Sequence, residues 1–304
     1  MNIKAVEDIA AAVLYEGYLL YPYRASAIKN RQRWNFGVLY PPVYVEQQFG
    51  SDASRMHTEC LLRGYPEAQA VIRVRFLHLI ARTAEGQDWQ GAIPREIEVQ
   101  ARSLAELISN PVRRHVVFEP MESQQHQLAV VVEIKAELLS DNLCKLAVTT
   151  SNITAFDGST RDDALMRSLV STHTILTAES GEFVSLLEPP EELRSAAEAC
   201  HQVGTWPVLA GDMGQPDAML SSPIILYDYP KIAPESPGAL FDGTEIDEIL
   251  TLRIMTLTEE EKREMAADER TREILERTER LSPEEFMKMH GVFRNLYDAP
   301  LETL

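Results

Sequence analysis

The chain is short of cysteine, of positive charge and of long apolar runs. Cys60, Cys144 and Cys200 are its 3 thiols in 304 residues, and no C-x-x-C pair occurs. So sparse and odd a set is not the disulfide framework of a small secreted domain, which makes reduced thiols and a cytoplasmic location the expectation. Asp and Glu number 47 against 29 Lys and Arg, a net charge of −18. That imbalance argues against nucleic acid, whose phosphates call for a basic footprint, and against anionic membrane surfaces. No window approaches the roughly 18 apolar residues of a membrane-spanning helix. The opening M-N-I-K-A-V-E-D-I-A carries Glu7 and Asp8 where a secretory leader would have a basic head and an apolar stretch.

Chemical signatures are missing too. Gly204, Gly211 and Gly214 fit neither of the glycine-rich phosphate-binding spacings. No G-x-S-x-G elbow surrounds Ser221 or Ser222. No internal repeat is visible. No nucleotide or other cofactor is therefore expected.

What remains is ordinary globular protein, 45% hydrophobic and 25% charged, long enough for two domains or for one large one with appendages. Residues 38–158 read as strands. Ile72, Val74, Phe76, His78 and Ile80 share one face of a first run. In a second, Leu128, Val130, Val132, Ile134, Ala136 and Leu138 alternate with Glu133, Lys135 and Glu137. That is the period-two pattern of a half-buried strand. S-D-N at 140–142 turns it back into the run from Leu143 to Phe156, as a long antiparallel hairpin. One solvated face per strand favours an antiparallel sheet or sandwich over a doubly wound parallel sheet.

Helices are expected over 5–20, broken near Gly17, and over 101–110. Another should run from a Thr160 cap to about Val170, and another from Pro189 and Pro190 to about Gln202. Ser171 to Leu187 leans to strand. Towards the C-terminus, Thr244 and Asp247, Thr258 and Glu261, and Ser282 and Glu285 stand at capping-box spacing, with Pro283 at a first helical position. They punctuate three helices at about 245–256, 259–280 and 283–296. The fold class expected is α+β: an N-terminal helix and basic aromatic segment over 1–37, an antiparallel, sandwich-like β-rich body over 38–158, and a mixed segment over 159–218. An extended proline-rich arm over 219–243 and an acidic helical tail over 244–304 complete it.

Two segments suit partner contact. The arm, punctuated by Pro223, Pro230, Pro234 and Pro237, reads as neither a single helix nor a central strand, and Ile224, Leu226 and Tyr227 need something to lie against. The other is Y-P-Y-R-A-S-A-I-K-N-R-Q-R-W-N-F-G, locally basic in an acidic chain. Residues 235–285 hold 16 acidic side chains against 7 basic ones, so the tail could attract that segment. Tyr23, Arg24, Arg33, Trp34, Tyr227 and Tyr229 are the candidate anchors, since Tyr, Trp and Arg dominate interfaces. For metal, His57 and Cys60 stand as H-x-x-C and Cys200 adjoins His201, ligand types that suit zinc or nickel. On a strand, residues three apart face opposite sides, so such a site needs a turn or helix there. Ordinary buried thiols and histidines are the competing account. The many acidic pairs are expected of any chain this acidic, and mostly cap helices or line solvated faces.

The strings E-G-Y-L-L-Y-P-Y-R-A-S-A-I-K-N-R-Q-R-W-N-F-G-V-L-Y-P (16–41) and L-S-S-P-I-I-L-Y-D-Y-P-K-I-A-P-E-S-P-G-A-L-F-D-G-T-E-I-D-E-I-L-T-L-R (220–253) carry a resemblance. So do T-W-P-V-L at 205–209 and the helical tail from Met255. They resemble an uncharacterised protein family associated with gene clusters for high-affinity nickel–iron hydrogenases of the actinobacterial type. The resemblance implies a non-enzymatic accessory protein for assembly, maturation or scaffolding, with hydrogenase subunits or maturation factors as partners. It assigns no catalytic or ligand residue. A metal-handling protein using His57 and Cys60, and a hydrolase without a recognisable motif, are the alternatives.

Overall fold

The computed structural model describes residues 3–17, 23–24, 35–48, 50–84, 87–232, 238, 240 and 247–289. Arg33, Trp34, much of the expected arm beyond Ile232, the Thr244 cap and the end of the last helix lie outside them. The chain divides into two units, one of Met1–Tyr18 with Gln32–Ile232, the other of Leu19–Arg31 with Ala233–Leu304.

The first unit is built on an antiparallel eight-stranded sheet, beside helices, as an α+β fold requires. Its spine is β1 (Arg55–Ala84), a strand of 30 residues. Helices α1 (Ile3–Tyr15) and α2 (Pro42–Gln47) precede it; β2 (Gln87–Ser103), α3 (Leu104–Ser109), β3 (Val112–Phe118), β4 (Leu128–Ser140) and β5 (Leu143–Asn152) follow. Then come α4 (Arg161–Leu165), β6 (Leu169–Phe183), α5 (Arg194–Glu198), β7 (Trp206–Leu209) and β8 (Ala218–Ser222). The strand order is β3-β4-β5-β1-β6-β8-β7, with β2 also paired to β1.

One edge of β1 pairs with β6. The other pairs with β5 over Arg55 to Arg63 and with β2 over Gln69 to Ala84. Between these stretches the β1–β6 register jumps, so that residues 65–68 face Ser180 alone. An insertion of this kind bends a strand and raises its twist. Past the crease the two halves fold toward each other. The Phe76 and Phe118 rings, three strand-pairings apart, meet edge-to-face at 5.3 Å. Arg114 of β3 donates to the Glu98 carbonyl of β2. One apolar core fills the interior: Leu62, Ile72, Val74 and Phe76 of β1, Ile97 and Val99 of β2, Val130 and Val132 of β4, and Leu146 of β5.

Glycine is required at the crease, because a Cβ on Gly64 would stand 2.8 Å from the Ala68 Cβ and 3.4 Å from the Gly181 Cα. Gly64→Ala should lower the unfolding free energy by about 1–3 kcal/mol, the usual cost of forcing a methyl into packed structure. Chemical denaturation checks it. Gly50→Ala is the control, since its added methyl meets nothing nearer than 4.0 Å.

The hairpin read from the alternation is β4–β5, paired from Val130↔Asn152 to Ser140↔Leu143. Residues 159–218 join the same sheet, supplying β6, β7 and the first residue of β8. All five residues of β8 are buried, between β6 and β7. The start of the expected arm, residues 219–222, is thus a central strand. The prolines do not prevent this because β8 ends one residue before Pro223. β6 is buried on both faces, since Val6, Ala10 and Val13 of α1 cover its outer side at Ile175, with Ala218 and Leu220 of β8. Alternation is therefore lost there.

The second unit contains α6 (Asp247–Met255), α7 (Glu259–Met265), α8 (Glu269–Arg280) and α9 (Pro283–Met289). The helix expected over 259–280 is two. Asp268 interrupts it, its carboxylate accepting from the Arg270 and Thr271 backbone N–H groups as the N-cap of α8. The Thr258 and Glu261 capping box closes in both directions, as does the hydrogen bonding between Ser282 and Glu285.

Candidate functional site

Residues 223–232 of the expected arm lie along the sheet-bearing unit to which they belong. Asp228 accepts from the Leu209 N–H at 2.8 Å and from the Ser185 hydroxyl at 2.6 Å. The Tyr229 N–H donates to the Leu209 carbonyl at 2.7 Å. Strand β7 is at the end of the sheet order, and these bonds cap its outer edge at Leu209. Pro207 offers no N–H two residues earlier, so the edge is a poor template for another strand. Ile224 and Leu226 pack inward beside α1. The residues that alternate with them turn outward: Ile225 is 75% exposed and Tyr227 59%. Trp206 at the start of β7 is exposed as well, as are Met213 and Ile232.

The two tyrosines expected as arm anchors therefore differ. Tyr227 presents its ring to solvent. Tyr229 is half-buried against the core, in a left-handed backbone conformation of φ 54°. Tyr23 and Arg24 belong to the helical unit. Tyr23 is fully buried and donates its hydroxyl hydrogen to the Leu240 carbonyl at 2.5 Å. Arg24 reaches Glu261 at 3.3 Å and Glu264 at 3.8 Å. The attraction expected between the basic segment and the acidic tail is realised at this arginine, within one unit.

His57 and Cys60 are both on β1 and point to opposite sides. Cys60 is fully buried in the core, and burial pushes its thiol far above the usual range. His57 shares a hydrogen bond of 2.7 Å with Thr149, its cross-strand neighbour on β5. Its other ring nitrogen lies 3.4 Å from Glu59. Glu59 was passed over in the sequence because it is one acid among 47. It is 7% exposed and accepts from the His201 N–H at 2.9 Å, with Lys145 at 4.0 Å. Burial raises its pKa, but the His201 hydrogen bond, Lys145 and His57 outweigh that and hold the carboxyl below the usual range. Gln202 bonds Thr58 and the Glu59 backbone.

The cluster thus pins residues 201–203 to the free stretch of β1. His201 contributes its backbone, and Cys200 hydrogen-bonds back to the Ala196 carbonyl. Burial first, then Glu59, pushes the Cys200 thiol up to about 11 against the pull of Lys145, so it stays protonated and a poor nucleophile. Among the described residues, no three His, Cys, Asp or Glu side chains gather as a metal site.

The sequence reading also missed a surface cleft at the crease of β1. Its volume is about 610 Å³, and its walls include Arg63, Tyr65, Asn142, Glu182 and Asp217. No local pattern marks it, because its walls come from four separate stretches of chain. No helix among the described residues is long and apolar enough to cross a membrane. No protein-family model matches the chain, and no curated protein matches it.

Proposed function

We propose that this chain is a non-enzymatic accessory protein that binds another protein through its arm. The observation that carries the reading is the pairing of a firmly bonded arm backbone with outward side chains. Asp228 and Tyr229 tie the segment to β7, while Ile225 and Tyr227 stand 75% and 59% exposed. Solvent-facing aromatic and aliphatic side chains on a tethered backbone leave less backbone to be ordered on association, a step in which binding energy is commonly lost. The resemblance to the hydrogenase-associated family supplies the partner: a hydrogenase subunit or a maturation factor of that enzyme.

Affinity capture of tagged protein from its native host tests this. Wild-type chain should recover hydrogenase subunits or maturation factors in stoichiometric amount. Tyr227→Ala combined with Ile225→Asp should reduce recovery at least tenfold, the effect of losing about 1.4 kcal/mol or more at an interface. Both side chains are exposed, so the variant's circular dichroism should match wild type. Undiminished recovery by a folded variant would remove the arm from the interface, and recovery of no partner would end the accessory reading.

A further inference from the structure

Toward the C-terminal end of β1, three buried polar atoms have no hydrogen-bond partner among the described residues. They are Nδ1 of His78, Nε of Arg95 and Nε2 of Gln125. His78 is 0% exposed and Gln125 5%. Protein interiors seldom leave such groups unpaired, and a cluster of them marks the place of a water, an ion or a ligand.

The fold brings the three side chains together. Phe76 of β1 pairs with Arg95 of β2, and His78 with Ile93, so His78 and Arg95 are diagonal neighbours on the core-facing side. That separation is within reach of a long side chain. Residues 119–127, between β3 and β4, close over them. His78 Nε2 donates to the His126 carbonyl at 2.7 Å. Arg95 donates from Nη1 to the Met121 sulfur at 3.0 Å and from Nη2 to the Glu119 carbonyl at 3.4 Å. The Met121 N–H in turn donates to Gln125 Oε1 at 2.9 Å.

These bonds fix what each remaining atom can do. With its hydrogen on Nε2, His78 presents a bare lone pair at Nδ1. With Oε1 engaged by an N–H, Gln125 turns its amide hydrogens the other way, and Arg95 adds its Nε–H. The complement is a group with at least two acceptor lone pairs and one hydrogen to donate. Charge narrows the choice. Arg95 has no carboxylate partner among the described residues: Glu119 turns its carboxylate to Gln127, Glu122 to Arg82 and Glu96 to Arg75. Burial pulls the Arg95 pKa below the usual arginine range, and no acid opposes it. A water matches the hydrogen-bond count but leaves the guanidinium without a counter-charge. An oxyanion meets both requirements, through charge-assisted bonds.

We propose that His78, Arg95 and Gln125 bind a small, singly charged oxyanion that keeps one O–H, of the bicarbonate or dihydrogen phosphate kind. Two of its oxygens accept from Arg95 Nε and Gln125 Nε2, and its O–H donates to His78 Nδ1. The site shares no residue with the arm, and the proposal does not rest on the function given above.

Calorimetric titration of the full chain with sodium bicarbonate and, separately, sodium phosphate at fixed ionic strength tests it. At least one should bind saturably, and the tighter of the two fixes the ion's shape, planar or tetrahedral. Formate, an oxyanion without the O–H, should bind at least about fivefold more weakly than that ion, and chloride at least about tenfold. Gln125→Glu keeps the acceptor for the Met121 N–H and sets a carboxylate beside Arg95, so it should abolish binding. Arg95→Lys keeps the charge but loses the Nε–H, and should weaken binding at least about tenfold. Failure of both anions to bind wild-type chain overturns the proposal and leaves an ordered water only. Chloride binding as tightly as either oxyanion, or full affinity in the folded Gln125→Glu chain, overturns it as well. Formate binding equally well removes the O–H, and with it the role of His78.

Discussion

Acidification from pH 7 to pH 4 should strip several kcal/mol of stability from the sheet-bearing unit, through two histidines. His78 on β1 and His173 on β6 are both 0% exposed. His78 donates from Nε2 to the His126 carbonyl at 2.7 Å, and His173 from Nδ1 to the Ser171 carbonyl at 2.9 Å, since a carbonyl can only accept. The second ring nitrogen of each has no hydrogen-bond partner among the described residues, so an added proton would sit in the interior with no acceptor among them. Burial is the main reason both pKa values are pulled down to about 4. The carbonyl bonds oppose it, whereas Arg95 and His126 near His78, and Arg75 near His173, reinforce it.

The unfolded chain takes up these protons near pH 6.5, the folded chain only near 4. Between those values the unfolded state holds more protons, so stability falls as pH falls, and above about 6.5 this source contributes no slope. Each histidine accounts for about 3 kcal/mol across the window, on the scale of about 1.4 kcal/mol per pKa unit. Urea denaturation at half-unit intervals, followed by circular dichroism in the strand region, should show the fall. In His173→Gln, whose side chain does not titrate, the pH slope should drop by about half even if the variant is less stable at pH 7. A flat profile between pH 6.5 and 4.5 would mean that neither histidine is held neutral. Glu59, held below the usual carboxylate range, adds its own loss at lower pH, as acid titrates it in the native state.

Tyr23→Ala should unfold or severely weaken the helical unit, with an expected cost of about 3–5 kcal/mol for deleting a buried aromatic ring. Tyr23→Phe keeps the ring and abandons the Leu240 carbonyl, which should cost about 1–3 kcal/mol. Arg24→Ala should cost less than about 1 kcal/mol, because its ion pairs with Glu261 and Glu264 are partly solvated. Thermal unfolding followed at 222 nm ranks the three. The order Ala, Phe, Arg24 identifies Tyr23 as a core residue of its own chain. A Tyr23→Ala protein that melts like wild type would return that ring to the list of partner contacts.

Local rules were legible wherever the signal is contained in a few residues. The clean alternation after Leu128 is β4, and T-E-E-E and S-P-E-E do cap helices. S-L-A-E at 103–106 and T-R-D-D at 160–163 are capping boxes of the same kind, and they place α3 and α4. The reading lost its hold where two influences compete over one stretch. In M-L-S-S-P, the nearby prolines outweighed the strand run, although a strand needs only to end before Pro223. In the long acidic helix, continuous helical propensity hid the cap at Asp268. The candidate anchors show the same limit, since Tyr23 and Tyr227 stand in similar proline-flanked, aromatic company, yet one is buried and the other open.

The sequence alone determined the class of this protein: strands, turns and capped helices of an α+β chain, an acidic surface, and the absence of a long apolar span. These follow from periodicity, from caps and from charge, each of which acts within a few residues or simply sums along the chain. Tertiary structure alone decided that β8 is central, that Glu59 is the pivot of a buried polar cluster, and that the crease at Gly64 opens a cleft. Each depends on which distant segments share a face. β1 meets three strands along its 30 residues, and the environment of a side chain on it is set by distant neighbours, 142 positions away for Glu59 and His201.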